Sequence, residues 1–200
     1  MLSANEIVTL HDRLVEAWHK TPGTAASTRP ADWLALVARQ HRANFDLWHI
    51  EDEARSPGAS DADLAQVKRR IDPANQLRND LAEELDRVLL AWLEPRGLPA
   101  QDAPLNSESP GLMIDRLSIL ALKIWHTREE SERTGAQPGH AERCCHRLVI
   151  LEEQRADLAA CLDDLWRQTL AGHRRFKLYR QLKMYNDPDL NPAIYGRRGQ

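Results

Sequence analysis

The chain has 200 residues, with 27 Lys and Arg against 30 Asp and Glu, and a formal net charge of −3. That length suffices for one domain with a sizeable core. A hydrophobic content of 42% and a charged content of 28% exclude wholesale disorder, and the mild acidity excludes the strongly basic footprint of a nucleic-acid-binding protein.

Strand patterns are nearly absent and helical periodicity runs through the chain. The first helix is predicted from Ser3 to Lys20, with Ser3 and Glu6 as a capping box and Ile7, Leu10, Leu14 and Trp18 as its apolar face. A Thr, Gly, Ala and Ser-rich loop leads to a second helix, from Pro30 to Arg55. The third begins after Ser60, and Pro73 is expected to kink or interrupt it before the pattern resumes through Leu77, Leu81, Leu85, Leu89 and Trp92. Residues 97–110 read as a polar linker. The fourth helix is predicted over 110–134 with Ser109 as N-cap, and the fifth from His140 to Ala171 with Gly172 past its end. Apolar residues surround almost the whole fourth helix, which makes it the expected centre of the bundle. The expectation is an all-α, single-domain helical bundle of five to six helices over residues 1–200, with 185–200 as an extended tail. The six tryptophans, spread over the helices, read as core anchors.

Cys144, Cys145 and Cys161 are odd in number and lack C-x-x-C spacing, which argues against a disulfide scaffold and reads as free thiols of a reducing compartment. Glu6, Asp12, Arg13 and Glu16 leave no apolar leader in the first twenty residues. No uncharged apolar run approaches the roughly 18 residues of a transmembrane helix. A soluble, cytoplasmic protein is expected.

Polar residues at positions that the pattern reserves for apolar ones mark candidate chemistry. On the fourth helix Asp115, Arg116, Lys123 and His126 share one stripe. Either these form an ion-pair network that joins helices, or they line a cavity, in which case Asp115 and His126 are the candidate general bases and Arg116 and Lys123 the candidate anion contacts. Arg78 and Arg155 interrupt apolar stripes elsewhere, and a guanidinium so placed is either ion-paired or aimed at an anion. In the segment FKLYRQLKMYNDP, Lys177, Arg180 and Lys183 alternate with Tyr179, Met184 and Tyr185 at helical spacing; the default reading is packed aromatics with solvated charges, and the alternatives are closure over an anionic ligand or contact with a nucleic acid or membrane surface. His41, Asn44 and Asp52 lie on the apolar face of the second helix with His49 at its edge. His41, His49 and Asp52 are candidate metal ligands, although their spacing matches no H-E-x-x-H motif. Glu83 and Asp86 supply one E-x-x-D pair of the kind that chelates magnesium, with no matching acidic motif on the fourth helix.

Three stretches, NFDLWHIEDEAR from Asn44, LNSESPGLMIDRLSILALKIWH from Leu105 and FKLYRQLKMYNDPDLNPAIY from Phe176, resemble the bacterial domain-of-unknown-function family 4254. The resemblance implies no activity. It implies at most a neighbourhood of glycosyltransferases of cell-surface assembly. The leading expectation is binding, with turnover in view, of a small anionic metabolite, a sugar phosphate or nucleotide sugar, in cell-envelope polysaccharide assembly. The alternatives are a non-catalytic scaffold docking on a glycosyltransferase and a metal-dependent hydrolase. The sequence names no cofactor, and a homodimer is the simplest oligomer expected.

Overall fold

The computed structural model describes residues 2–21, 33–182 and 189–190. Among them the regular structure is five long helices, α1 (Ala4–Lys20), α2 (Trp33–Ala54), α3 (Asp61–Leu93), α4 (Pro110–Glu132) and α5 (His140–Leu170), with a single 3₁₀ turn at Glu94–Arg96. The all-α bundle expected from periodicity is present. Pro30, the expected start of the second helix, lies outside the described residues, as do Lys183, Met184, Tyr185 and the tail from 191.

α4 touches each of the other four long helices and is the centre of the bundle. Its Met113, Ile114, Leu117, Leu122 and Ile124 are buried on different sides. Against them pack Ile7, Leu14 and Trp18 of α1, Val37 and Phe45 of α2, Leu85, Leu89 and Leu93 of α3, and Leu158, Leu162 and Trp166 of α5. Full burial of a side chain of this size stabilises by about 1.5–3 kcal/mol. The stripe of each outer helix therefore suffices to hold it on α4.

Of the two outcomes expected at Pro73, a kink or an interruption, the interruption is not found: α3, one helix of 33 residues, runs through it. Pro73 and Arg69, whose carbonyl loses its helical partner, are both exposed, so the loss falls on the solvated face of the helix, where it costs little. Ser60 and Asp63 start this helix with a reciprocal capping box. The segment after α5 also departs from expectation. Gly172 turns the chain at a φ of 74°, and residues 173–182 are then non-helical. The Arg175 amide donates to the Pro104 carbonyl at 3.0 Å, and its carbonyl accepts from the Asn106 amide at 2.7 Å. With those groups engaged on the α3–α4 linker, no helical bond is open to them. Phe176, 2% exposed, anchors this strap, which then crosses towards α3, where the Gln181 amide donates to Glu83.

Where α4 begins, it crosses α3 closely. A Cβ built on Gly111 would lie 2.3 Å from the Ala82 carbonyl oxygen and 2.9 Å from the Asp86 carboxyl. Only glycine fits this crossing, and its amide donates to Asp86 at 2.7 Å. Gly111→Ala is expected to lower stability by about 3 kcal/mol, the upper end for overpacking. Urea unfolding reads this directly, and an unchanged midpoint would show that the crossing is not tight.

Candidate functional site

Asp115 projects from α4 between α2 and α3 and is 6% exposed. Its Oδ1 accepts from Gln40 Nε2 at 2.6 Å, Asn44 Nδ2 at 2.9 Å and Arg78 Nε at 2.8 Å, and its Oδ2 accepts from Arg78 Nη2 at 2.5 Å. The network continues inward. Asn44 Nδ2 also donates to Ser118 Oγ at 2.9 Å, which lies 2.7 Å from His41 Nδ1. His41 Nε2 lies 3.2 Å from the His11 carbonyl oxygen. A carbonyl only accepts, so His41 carries its proton on Nε2 and Nδ1 accepts from the Ser118 hydroxyl. Donor and acceptor roles then agree from His11 to Arg78. Burial holds the His41 imidazole down at about 3 and the His11 imidazole well below its usual range, with the neighbouring His41 adding to the effect on His11.

The outer end of this network opens on a polar cleft of about 390 Å³ between α3, α4 and the strap, lined among others by Asn75, Arg78, Asn79, Asp86, Asp115 and Tyr179. Arg78 presents to Asp115 only Nε and Nη2, so Nη1 is not used in that pair. The Asp86 carboxyl, buried at 2% exposure, accepts from the Ser109 hydroxyl and the Gly111 amide. Burial pushes it up to about 6, against the pull of those two donors, and neighbouring Glu83 adds to the rise. A carboxyl titrating near neutrality in a cleft is a candidate for proton transfer.

The stripe read on the fourth helix does not line one cavity. Asp115 is engaged by three side chains in the network above. Arg116 is exposed and paired with Glu108 at 2.8 Å. Arg155 pairs with Asp12 of α1 at 2.6 Å. Lys123 and His126 line a different space, an open groove of about 1020 Å³ between the end of α4 and the start of α5, together with Arg143, Cys144 and Arg147. Arg180 lies on the strap and is exposed. Lys183 is outside the described residues. The stripe separates because Asp115 and His126 are eleven residues apart, about 16 Å along a helix.

The three expected metal ligands also separate. Both nitrogens of His41 are engaged in the core, and Asp52 pairs with Arg55 at 3.3 Å. His49 instead joins His19 of α1 and His126 of α4, and one ring nitrogen from each lies within 4.8 Å of the others. His19 Nδ1 lies 2.7 Å from the Val15 carbonyl oxygen and His126 Nδ1 lies 2.9 Å from Glu129. The Nε2 atoms of both rings are buried and have no hydrogen-bond partner among the described residues. Trp125 stacks on His19 at 5.0 Å and Trp48 on His126 at 4.9 Å, and Phe45 meets His19 and His49 edge-on. Burial first, and then the neighbouring imidazoles, lower the pKa values of His49 and His126. Sequence reasoning missed His19, which it does not single out on the first helix. A signal was present. The dipeptide Trp-His occurs at Trp18-His19, Trp48-His49 and Trp125-His126, once on each of three helices.

A family model described as "Protein of unknown function (DUF4254)" matches residues 34–178, well over half of the chain. No curated protein and no solved structure matches it.

Two outcomes are expected of the network and the cleft carboxyl. Arg78→Met leaves Asp115 with two amides against a buried charge and is expected to lower stability by about 3 kcal/mol or more, read by urea unfolding. The second concerns pH. His41 drops from 6.5 unfolded to about 3 folded, so its contribution is intact above 6.5 and is lost as pH falls towards 3. Asp86 rises from 3.8 to about 6, so its contribution is present below 3.8 and is lost as pH rises through 6. The two oppose each other between pH 6 and 4. Asp86→Asn removes the compensating member, so its stability is expected to fall more steeply than that of the wild type on acidification across this window. Parallel curves would refute the assignment.

Proposed function

The chain belongs to the DUF4254 family, whose description names no activity, and from the geometry we propose that its polar cleft binds a small hydroxyl-rich metabolite with a single anionic group, of the size of a sugar phosphate. The observation that carries this reading is that Arg78 and Asp86, one a fixed cation and the other a carboxyl titrating near neutrality, line the same cleft. Arg78 Nη1 is the anion contact. Asn75, Asn79 and Tyr179 are donors and acceptors suited to sugar hydroxyls. Asp86 is the group suited to move a proton to or from the bound ligand.

Size and charge narrow the ligand. About 390 Å³ is at the small end for metabolite sites and suits a monosaccharide phosphate better than a nucleotide sugar. Among the described residues, Arg78 is the one expected cation that lines this cleft, and Glu83 and Asp115 stand beside it. That balance suits one anionic group rather than a diphosphate. A sugar phosphate also accords with the glycosyltransferase setting that the family resemblance implies.

The test is a calorimetric panel of hexose phosphates, the parent hexoses and inorganic phosphate. A hexose phosphate is expected to bind more tightly than either of its parts. Asn79→Ala and Tyr179→Ala, which remove half-buried cleft groups, are expected to weaken it about tenfold, the value of one hydrogen bond, with little change in Tm. Binding unaffected by both substitutions would exclude the cleft. No binding by any compound would favour docking on a glycosyltransferase.

A further inference from the structure

We propose that His19, His49 and His126 form a binding site for one divalent transition-metal ion of the zinc type. The three imidazoles come from α1, α2 and α4, and their ligating nitrogens lie within 4.8 Å of one another. Zinc binds histidine nitrogen at about 2.0–2.1 Å, and tetrahedral angles then set the nitrogens about 3.3 Å apart, so each ring moves by under about 1 Å to close on the ion.

The hydrogen bonds orient the rings for this role. Histidines that bind metal through one nitrogen characteristically donate the other N–H to a carbonyl or a carboxylate. His19 Nδ1 faces the Val15 carbonyl and His126 Nδ1 faces Glu129. That places the protons on Nδ1 and the lone pairs on Nε2, the two atoms that are buried without a partner. A buried acceptor left unsatisfied costs about 1–3 kcal/mol, and an ion between the rings would satisfy both at once. Trp48 and Trp125, each stacked on a histidine of another helix, hold the rings in place. Three histidines leave a fourth position open, as in catalytic rather than structural zinc sites. His126 lines the α4–α5 groove, which supplies the route in. Imidazole ligands without a carboxylate cage favour zinc, copper, nickel or cobalt over magnesium or calcium. The centre lies about 16 Å along α4 from Asp115 and does not depend on the sugar-phosphate reading.

The experiment uses the untagged full chain, stripped with chelator and assayed without any sugar phosphate. Cobalt(II) is expected to bind at one ion per chain with the visible absorption of a tetrahedral nitrogen site, and zinc is expected to displace it. Zinc at a hundredfold excess over its Kd is expected to raise Tm by about 5–10 °C. His49→Gln, at a half-exposed ring, is expected to weaken zinc at least a hundredfold with an unchanged circular dichroism spectrum. Glu129→Gln, which only orients His126, is expected to weaken it about 10–100-fold. His146→Gln, on the same groove but outside the cluster, is expected to leave it unchanged. Absence of the cobalt spectrum overturns the proposal. So does metal binding that survives His49→Gln and is lost in Cys144→Ser. Should the histidine variants fail to fold, nitrogen-15 spectra of the wild type decide: zinc must shift one ring-nitrogen signal from each of three histidines, and unshifted signals overturn the site.

Discussion

The carboxylate of Asp115 is the point on which the arrangement of helices depends. A buried charge is tolerable only when it is fully paired, and here the partners come from two other helices, Gln40 and Asn44 on α2 and Arg78 on α3. A slip of either helix by one residue along α4 would carry Gln40, Asn44 or Arg78 out of reach and leave the carboxylate short of partners. Hydrophobic stripes alone tolerate such slips, because leucine packs against leucine in many registers. The apolar core thus supplies most of the stability, and Asp115 selects one alignment. Ser118 and His41, one turn further along, extend the same selection towards α1.

This alignment also explains the positions of the two candidate sites. With α2, α3 and α4 in register, Asp86 meets the start of α4 and the cleft forms there. Towards the far end of α4, the same register brings His49 beside His126, and α1 supplies His19. A central helix buried on nearly all sides thus presents its chemistry at its two ends.

Much of this was legible in the sequence. The pattern singles out Asp115, Arg78, His41 and Asn44 as polar residues at apolar positions, and all four belong to one network that runs from the core to the cleft. The centrality of the fourth helix followed from its nearly uninterrupted apolar circumference. What periodicity does not carry is the partner of each polar group. A stripe on one helix reads as one site, whereas the surroundings allot its members to different neighbours, Asp115 to Arg78 of α3, Arg116 to Glu108 of the preceding linker, and Lys123 and His126 to the α4–α5 groove. Pro73 misled because a proline on a solvated face costs less than one in a core. The strap misled because Lys177, Arg180 and their aromatic neighbours have helical spacing, while its hydrogen bonds lie with distant residues 104 and 106. His19 escaped because a histidine in a final turn looks like a capping cation until its two Trp-His counterparts are set beside it.

The uninterrupted course of α3 has a consequence of its own. Thirty-three residues make a rod of about 50 Å. Its inward-facing leucines, Leu81, Leu85, Leu89 and Leu93, all belong to its second half, and before Leu81 only Val67 is buried. The first four turns lean on α2 through contacts such as Glu53 with Arg70, both largely exposed. Surface pairs of this kind contribute little, so cooperativity is uneven along a single helix. Amides near the Ser60 turn can exchange with solvent through local opening, while those beyond Leu81 wait for the whole bundle to unfold. One continuous helix therefore spans two regimes of protection, and the boundary between them falls beside Arg78, where the cleft begins.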